Sequence, residues 1–254
     1  MDPKWFPQEA EKPRLSKTTL SKSCINDRLY LISYRSLLFG PFKEGVFIKP
    51  QFFKSINITV SEEKVYRRLG YSPGLTQLSL GQQEEFRAYY NEAQEFLEPK
   101  GVFLEAAIKE KDTEKVVLSD GNLFASRLLA SLLKGSDGIL IMAATSGSGI
   151  VEAINKNQKG NMTKAVVYDA LAGEAADACI DWLQQYCNRN LSREGAELLS
   201  RRISCGYGDF SHKYQKVLFD ILDLGKLGLK INAGNMLIPE KSVIAVTGII
   251  KGEF

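Results

Sequence analysis

One stretch limits the architectures open to this chain more than any other: the helical pattern from about Met162 to Cys187. One side of it carries Val167, Leu171, Ala175, Cys179 and Leu183. The other repeats Asp169, Gly173, Asp177 and Asp181 every four residues, which puts them on one face. A helix divided in this way lays its apolar side on a core, and a solvated acidic face is the ordinary reading of the other. Gly173 is out of place in such a helix, where glycine costs about 1 kcal/mol relative to alanine. Its neighbours in "ALAGEAADA" are nearly all small. Both details predict a close approach to the helix, by another element or by a ligand, and close helix packing is the simpler of the two.

The rest of the chain sets the surroundings of that helix. Residues 1–28, rich in Pro, Lys and Ser, predict a loose arm, and 29–254 a domain. Residues 29–59 are β-rich with Gly-Pro and Lys-Pro breaks. "SEEKVYRRLGY" predicts a helix capped by Ser61 and ended at Gly70. "LGQQEEFRAYYNEAQEFLEPKG" predicts an amphipathic helix closed by Pro99 and Gly101. Strands are predicted at Val102–Ile108 and Lys115–Leu118 around a charged turn, and "GNLFASRLLASLLKGS" predicts a helix. "DGILIMAATSGSG" is an apolar strand running into a Gly/Ser loop, with a helix at Ile150–Asn157 behind it. Glu197–Ser204 is extended, a helix follows at His212–Leu224, and hairpin-like strands run to Phe254. Strands come both in runs and between helices. The fold class is therefore α+β: one domain around a largely antiparallel sheet with flanking helices.

Several chemistries are excluded by what the chain contains. A single histidine, His212, leaves a Ser-His-Asp triad or a His-based metal site almost no material. The four cysteines have no C-x-x-C spacing, and Cys179 and Cys187 fall in the helical pattern as buried, reduced thiols. A net charge of +3 does not argue for nucleic acid. No apolar run is long enough to cross a bilayer, and the polar N-terminus lacks a secretory h-region, which predicts a cytoplasmic protein.

Two segments hold candidate binding chemistry. "MAATSGSGIVEAI" has the strand, glycine loop and helix order that can cradle a phosphate, but Gly147 and Gly149 give only G-x-G, and a tight connection is the favoured reading. In "RRISCGYGDFSH", residues 201–212, Gly206 and Gly208 permit positive φ and close approach of backbone amides. Arg202 can grip a carboxylate through two parallel hydrogen bonds, and Tyr207 offers a flat face to a purine or a cation. A plain turn with a surface arginine and a packed tyrosine is an equal reading of this segment. Taken with the acidic helix face, the loop suits a ligand that carries an ammonium, a carboxylate and an aromatic ring. S-adenosylmethionine has all three.

The segment "RISCGYGDFSHKYQKVLFDIL" resembles the Arg-x-x-x-Gly-Tyr region of the activation domain of cobalamin-dependent methionine synthase, closest to the R-x-S-x-G-Y-G-D version of its stand-alone relatives. "ILIMAATSGSGIVEAI", "YDALAGEAADACIDWL", "NMLIPEKSVIAVTGI", "VYRRLGY" and "LEPKGVFLEAAI" are similar to further stretches of the same family, in the same order, over roughly residues 55 to 250. The resemblance implies a C-shaped α+β domain around a twisted antiparallel sheet, with S-adenosylmethionine in a surface groove. It places the cofactor against Asp177, Arg202, Ser204, Gly206 and Tyr207. The chain has Asp177 where the family more often has glutamate, and Cys205 where it has proline. No aspartate stands near Asn57, where the family has a second acid, and a further tyrosine of the family would fall after Phe254.

What the resemblance implies about function is reductive reactivation of a methionine synthase. An electron from flavodoxin or a similar reductase and the methyl group of S-adenosylmethionine restore methylcobalamin. With no D-x-H-x-x-G motif, this chain meets cobalamin only through a partner, a methionine synthase or another corrinoid protein. The rival expectation is a non-catalytic interaction module of the same fold that docks on a corrinoid protein without the ligand. A third is an independent doubly wound methyltransferase built on "TSGSG", which the C-terminal run of strands opposes.

Overall fold

The strand Gly138–Thr145 (β5) is buried at every position, because it is hydrogen-bonded on both edges and covered on both faces. That is why "GILIMAAT" reads as a continuous apolar run. In the computed structural model, which describes residues 49–72 and 74–252, β5 lies between Lys100–Lys111 (β2) and Ser242–Lys251 (β9), antiparallel to both. Beyond β2 come Lys115–Leu118 (β3) and Leu123–Ala125 (β4), and beyond β9 comes Ala196–Leu198 (β6). Gln51–Phe53 (β1) pairs with the first part of β2 and completes a seven-stranded sheet. Among the described residues every pairing in this sheet is antiparallel and the sheet curls into a half-barrel, which excludes the doubly wound alternative. A small second sheet pairs Lys230–Ile231 (β7) with Leu237–Ile238 (β8). The described residues belong to one compact unit, Glu44–Phe254. The predicted arm at 1–28, the first part of the β-rich stretch, Cys24 and Phe254 lie outside the described residues.

Among the described residues six helices flank the sheet: Glu62–Arg68 (α1), Leu80–Gln94 (α2), Arg127–Leu132 (α3), Ser148–Asn157 (α4), Met162–Ser192 (α5) and Tyr214–Ile221 (α6). One core cluster gathers Ile139, Ile141 and Ala143 of β5 with Leu129 of α3, Phe210, and Leu218 of α6. The other joins Val65 of α1, Phe86 and Tyr90 of α2, Ile150 and Ile154 of α4, and Val167, Leu171 and Ala175 of α5. Gly101 on β2 allows α5 to sit close to the sheet, since a Cβ there would lie 2.9 Å from the Leu183 side chain.

Local signals explain where the helices begin. Ser61 caps α1, accepting from the Lys64 amide at 3.4 Å, and Gly70 ends the run at φ 84°. Ser79 and Gln82 form a reciprocal capping box on α2. The longest helix extends past the predicted end at Cys187 to Ser192, because Leu191 is buried and Asn188 is used: its Oδ1 accepts from the Leu198 amide at 2.9 Å. The stretch predicted as one helix from Gly121 divides. Leu123–Ala125 pairs with β3, and α3 starts only at Arg127, where the Ser126 hydroxyl accepts from the Leu129 amide. Tertiary pairing overrides local propensity there. The helix predicted at 212–224 is likewise shorter, with a 3₁₀ turn at Leu224–Leu227 behind it.

After β6 the chain stays beside β9 without forming a regular strand. The Leu199 amide donates to the Gly248 carbonyl at 2.9 Å, and Ile203 bridges Val246. Its other side is met by α5: Gln184 Nε2 donates to the carbonyls of Leu199 and Ser200 at 3.1 and 3.4 Å. Amide side chains thus take the hydrogen-bonding role that a further strand has in a sheet.

Candidate functional site

The acidic face of α5 is not simply solvated. Cations from three separate parts of the chain meet it. Lys241, just before β9, pairs with Asp169 at 2.7 Å. Arg68, from the last turn of α1, reaches Glu174 through Nε at 2.6 Å and Asp177 through Nη2 at 2.7 Å. Arg202 places Nη1 at 2.8 Å from Asp181 Oδ1 and 2.9 Å from Gln184 Oε1. Burial alone would lower the Arg68 pKa, but the Glu174 and Asp177 carboxylates outweigh it and raise it.

The close approach predicted at Gly173 is this arginine. A Cβ at Gly173 would lie 2.6 Å from Arg68 Nη1 and 3.1 Å from Cζ, so the guanidinium rests against the helix where glycine leaves room. Arg68 is the residue that sequence reasoning missed. The mid-helix glycine was the visible signal, but nothing along the chain tells which distant side chain fills the gap.

Of the five residues singled out in the sequence, Asp177 and Arg202 are linked through Asp181, and Ser204, Gly206 and Tyr207 share the turn that follows Arg202. Asp177 and Asp181 are one helical turn apart on α5, about 6 Å along the axis, and Asp181 holds Arg202. The Asp177 side chain is 52% exposed and that of Arg202 29%. Ser204, Gly206 and Tyr207 continue from Arg202 into a tight turn. The Tyr207 amide donates to the Ser204 carbonyl at 3.3 Å, and the Gly206 amide donates to the Phe210 carbonyl at 2.6 Å. Gly206 has φ 99°, and its missing side chain leaves space for the His212 imidazole. Tyr207 is 65% exposed, so it is not a packed core tyrosine. A depression of about 290 Å³ lies beside the Arg202–Asp181 pair, lined by Asp181, Gln184, Gln185, Asn188 and residues 198–200.

Asp209 explains how the turn is held. Its Oδ1 accepts from the Ser126 hydroxyl at 2.7 Å and the Leu128 amide at 3.1 Å, and its Oδ2 accepts from the Arg127 amide at 2.7 Å. It therefore caps α3 from another part of the chain. The Ser126 bond, then the Leu128 and Arg127 amides, hold its carboxyl below the usual range. Cys205, next to Gly206, is a buried free thiol whose pKa burial pushes up to about 12, and Cys179 behaves alike. Neither suits a nucleophile at neutral pH.

The "TSGSG" loop is closed, as its simpler reading predicts. Ser146 accepts from the Glu98 amide at 2.8 Å through its carbonyl, and its hydroxyl donates to the Ala172 carbonyl at 2.6 Å. A Cβ at Gly147 would lie 2.5 Å from Glu98 Cβ, and one at Gly149 3.1 Å from the Phe96 carbonyl. The chain at 96–98 thus packs directly against both glycines of the loop. Among the described residues, no group of three or more His, Cys, Asp or Glu is placed to hold a metal ion, and no helix is long and apolar enough to cross a membrane.

Comparison with solved structures places this architecture in a known class. The chain is similar to the crystal structure of the MetH reactivation domain bound to AdoHcy, with a TM-score of 0.55 and 15% sequence identity. The match covers 86% of this chain and 85% of that one. At that identity the likeness shows a shared fold. No protein-family model matches the chain, and no curated protein matches it.

Proposed function

We propose that the chain is a stand-alone S-adenosylmethionine-binding module that serves reductive methylation of a cobalamin-dependent methionine synthase or a related corrinoid protein. The observation that carries this reading is that Asp177 lies one helical turn from Asp181 on α5, and that Asp181 is the carboxylate that holds Arg202. An α-amino acid head needs an acceptor for its ammonium and a donor for its carboxylate roughly 6–8 Å apart, once hydrogen bonds of about 2.9 Å are added. The neighbouring fold was crystallised with AdoHcy, the demethylated form of the same ligand.

The residues present fit the group in kind. The ion pair of Arg202 with Asp181 and its hydrogen bond to Gln184 both leave from Nη1 of a guanidinium that has five donors. Tyr207, exposed beside Gly206, offers its ring to the adenosine or the sulfonium. When bound, S-adenosylmethionine supplies a methyl group to a corrinoid nucleophile carried by the partner, with the electron coming from flavodoxin or a similar reductase. This chain's task is to bind and orient the donor, which requires no general base.

Titration calorimetry tests the reading. Saturable binding of S-adenosylmethionine is expected, weakened at least tenfold by Arg202→Ala. The absence of any binding heat at millimolar ligand overturns it. One observation favours a second reading, a docking module of the same fold that works without the ligand: Asp177 and Arg202 already satisfy their charges within the protein, through Arg68 and Asp181. Under that reading Arg202→Ala leaves reactivation of the corrinoid partner unaltered.

A further inference from the structure

Arg68 bears directly on who can bind Asp177. Its guanidinium takes the half-exposed carboxylate with Nη2, while its Nε is held by Glu174, whose side chain is only 15% exposed. The Glu174 contact is thus the sheltered anchor. The Asp177 contact is the outer one, where solvent and salt weaken an ion pair most. The guanidinium lies over Gly173.

Resting on the reading of Asp177 as the ligand acid, we infer that Arg68 is a specificity-determining gate: it occupies the place of the ligand's cationic group and yields only to a ligand that brings a positive charge of its own. The exchange replaces one cation by another, so Asp177 is never left bare. A neutral nucleoside offers no replacement and leaves the arginine in place. Rotation of the outer bonds of Arg68 frees Nη2 from Asp177 without disturbing the backbone of α1 or α5. Gly173 is what makes the resting position possible, which accounts for glycine at a site where alanine would favour the helix.

The gate predicts that two unrelated substitutions have one effect. Gly173→Ala puts a Cβ into the space of Arg68 Nη1 and pushes the guanidinium away, while Arg68→Gln removes the competing charge. Affinities of the unmodified protein and both variants are measured by calorimetry with two probes: S-adenosylmethionine, and 5′-methylthioadenosine, which keeps the adenosine but lacks the ammonium, the carboxylate and the sulfonium charge. Both variants are expected to bind S-adenosylmethionine about fivefold more tightly or better, and 5′-methylthioadenosine as the unmodified protein does. Equal or weaker S-adenosylmethionine binding by the variants overturns the gate, and so does equal tightening of both probes, which would report a general loosening. If none of the three proteins binds S-adenosylmethionine, the proposed function itself falls and the gate falls with it, an outcome distinct from the other two.

Discussion

Gly147 and Gly173 both stand where another part of the chain comes too close for a side chain, yet they are closed by different things. At Gly147 the obstacle is Glu98, whose Cβ and backbone nitrogen would lie 2.5 and 3.1 Å from an added Cβ. That segment is fixed by the Glu98–Ser146 hydrogen bond and leads directly into β2. At Gly173 the obstacle is the tip of Arg68, a long side chain 40% exposed to solvent. A gap filled by backbone is part of the frame. A gap filled by the far end of a long, partly exposed side chain can be vacated by rotation of that side chain. The glycine loop that looks more like a ligand cradle in sequence is therefore the closed one, and the site is better sought where the helix glycine lies.

The sharpest way to break this contrast is Gly147→Ala. Gly147 has φ 96° and ψ 169°, a region that only glycine occupies easily, and the new methyl meets main chain. Unfolding stability should fall by about 2–4 kcal/mol, read as a lower denaturant midpoint at unchanged slope. A loss below about 1 kcal/mol would show that the 96–98 segment yields as readily as Arg68.

Asp209→Asn asks which of the two patterns the Tyr207 turn follows. If the turn is framed by its cap on α3, the variant melts a few degrees lower at neutral pH. Since the Asp209 pKa is depressed in the folded protein, its contribution is complete above about pH 4, the unfolded value, and is lost as pH falls through the lower folded value. The gap between variant and unmodified protein should therefore close in acid. A gap that is constant with pH would remove the carboxylate from the explanation. The smallest effect is expected from Gly173→Ala. About 1 kcal/mol of helix propensity is gained and partly exposed ion pairs are lost, so stability should stay within about 1 kcal/mol. A large loss would mean that Arg68 is frame after all.

These positions also show what a sequence discloses. The alternation of apolar and acidic positions along α5 was fully legible, since Val167, Leu171, Ala175, Cys179 and Leu183 are all buried. So were the caps at Ser61 and the antiparallel class of the sheet, which depend on local chemistry and on the order of strands and helices. Residues 121–125 were misread as helix because strand pairing with β3 is a long-range decision. At the candidate site, the helical spacing of Asp177 and Asp181 and the glycines at 206 and 208 could be read directly. The partners Arg68 for Asp177 and Ser126 for Asp209 could not, because contacts across 109 and 83 residues leave no local trace.

The amide side chains of Gln184 and Asn188 have a consequence beyond the site. By occupying the carbonyls of Leu199 and Ser200 and the Leu198 amide, they seal a sheet margin that would otherwise be open to a foreign strand. A protein that meets partners through its surface gains from this, because its associations are then decided by side-chain chemistry and not by indiscriminate backbone pairing. Apolar replacements at these two positions should show themselves first as self-association on standing, well before any loss of folded structure.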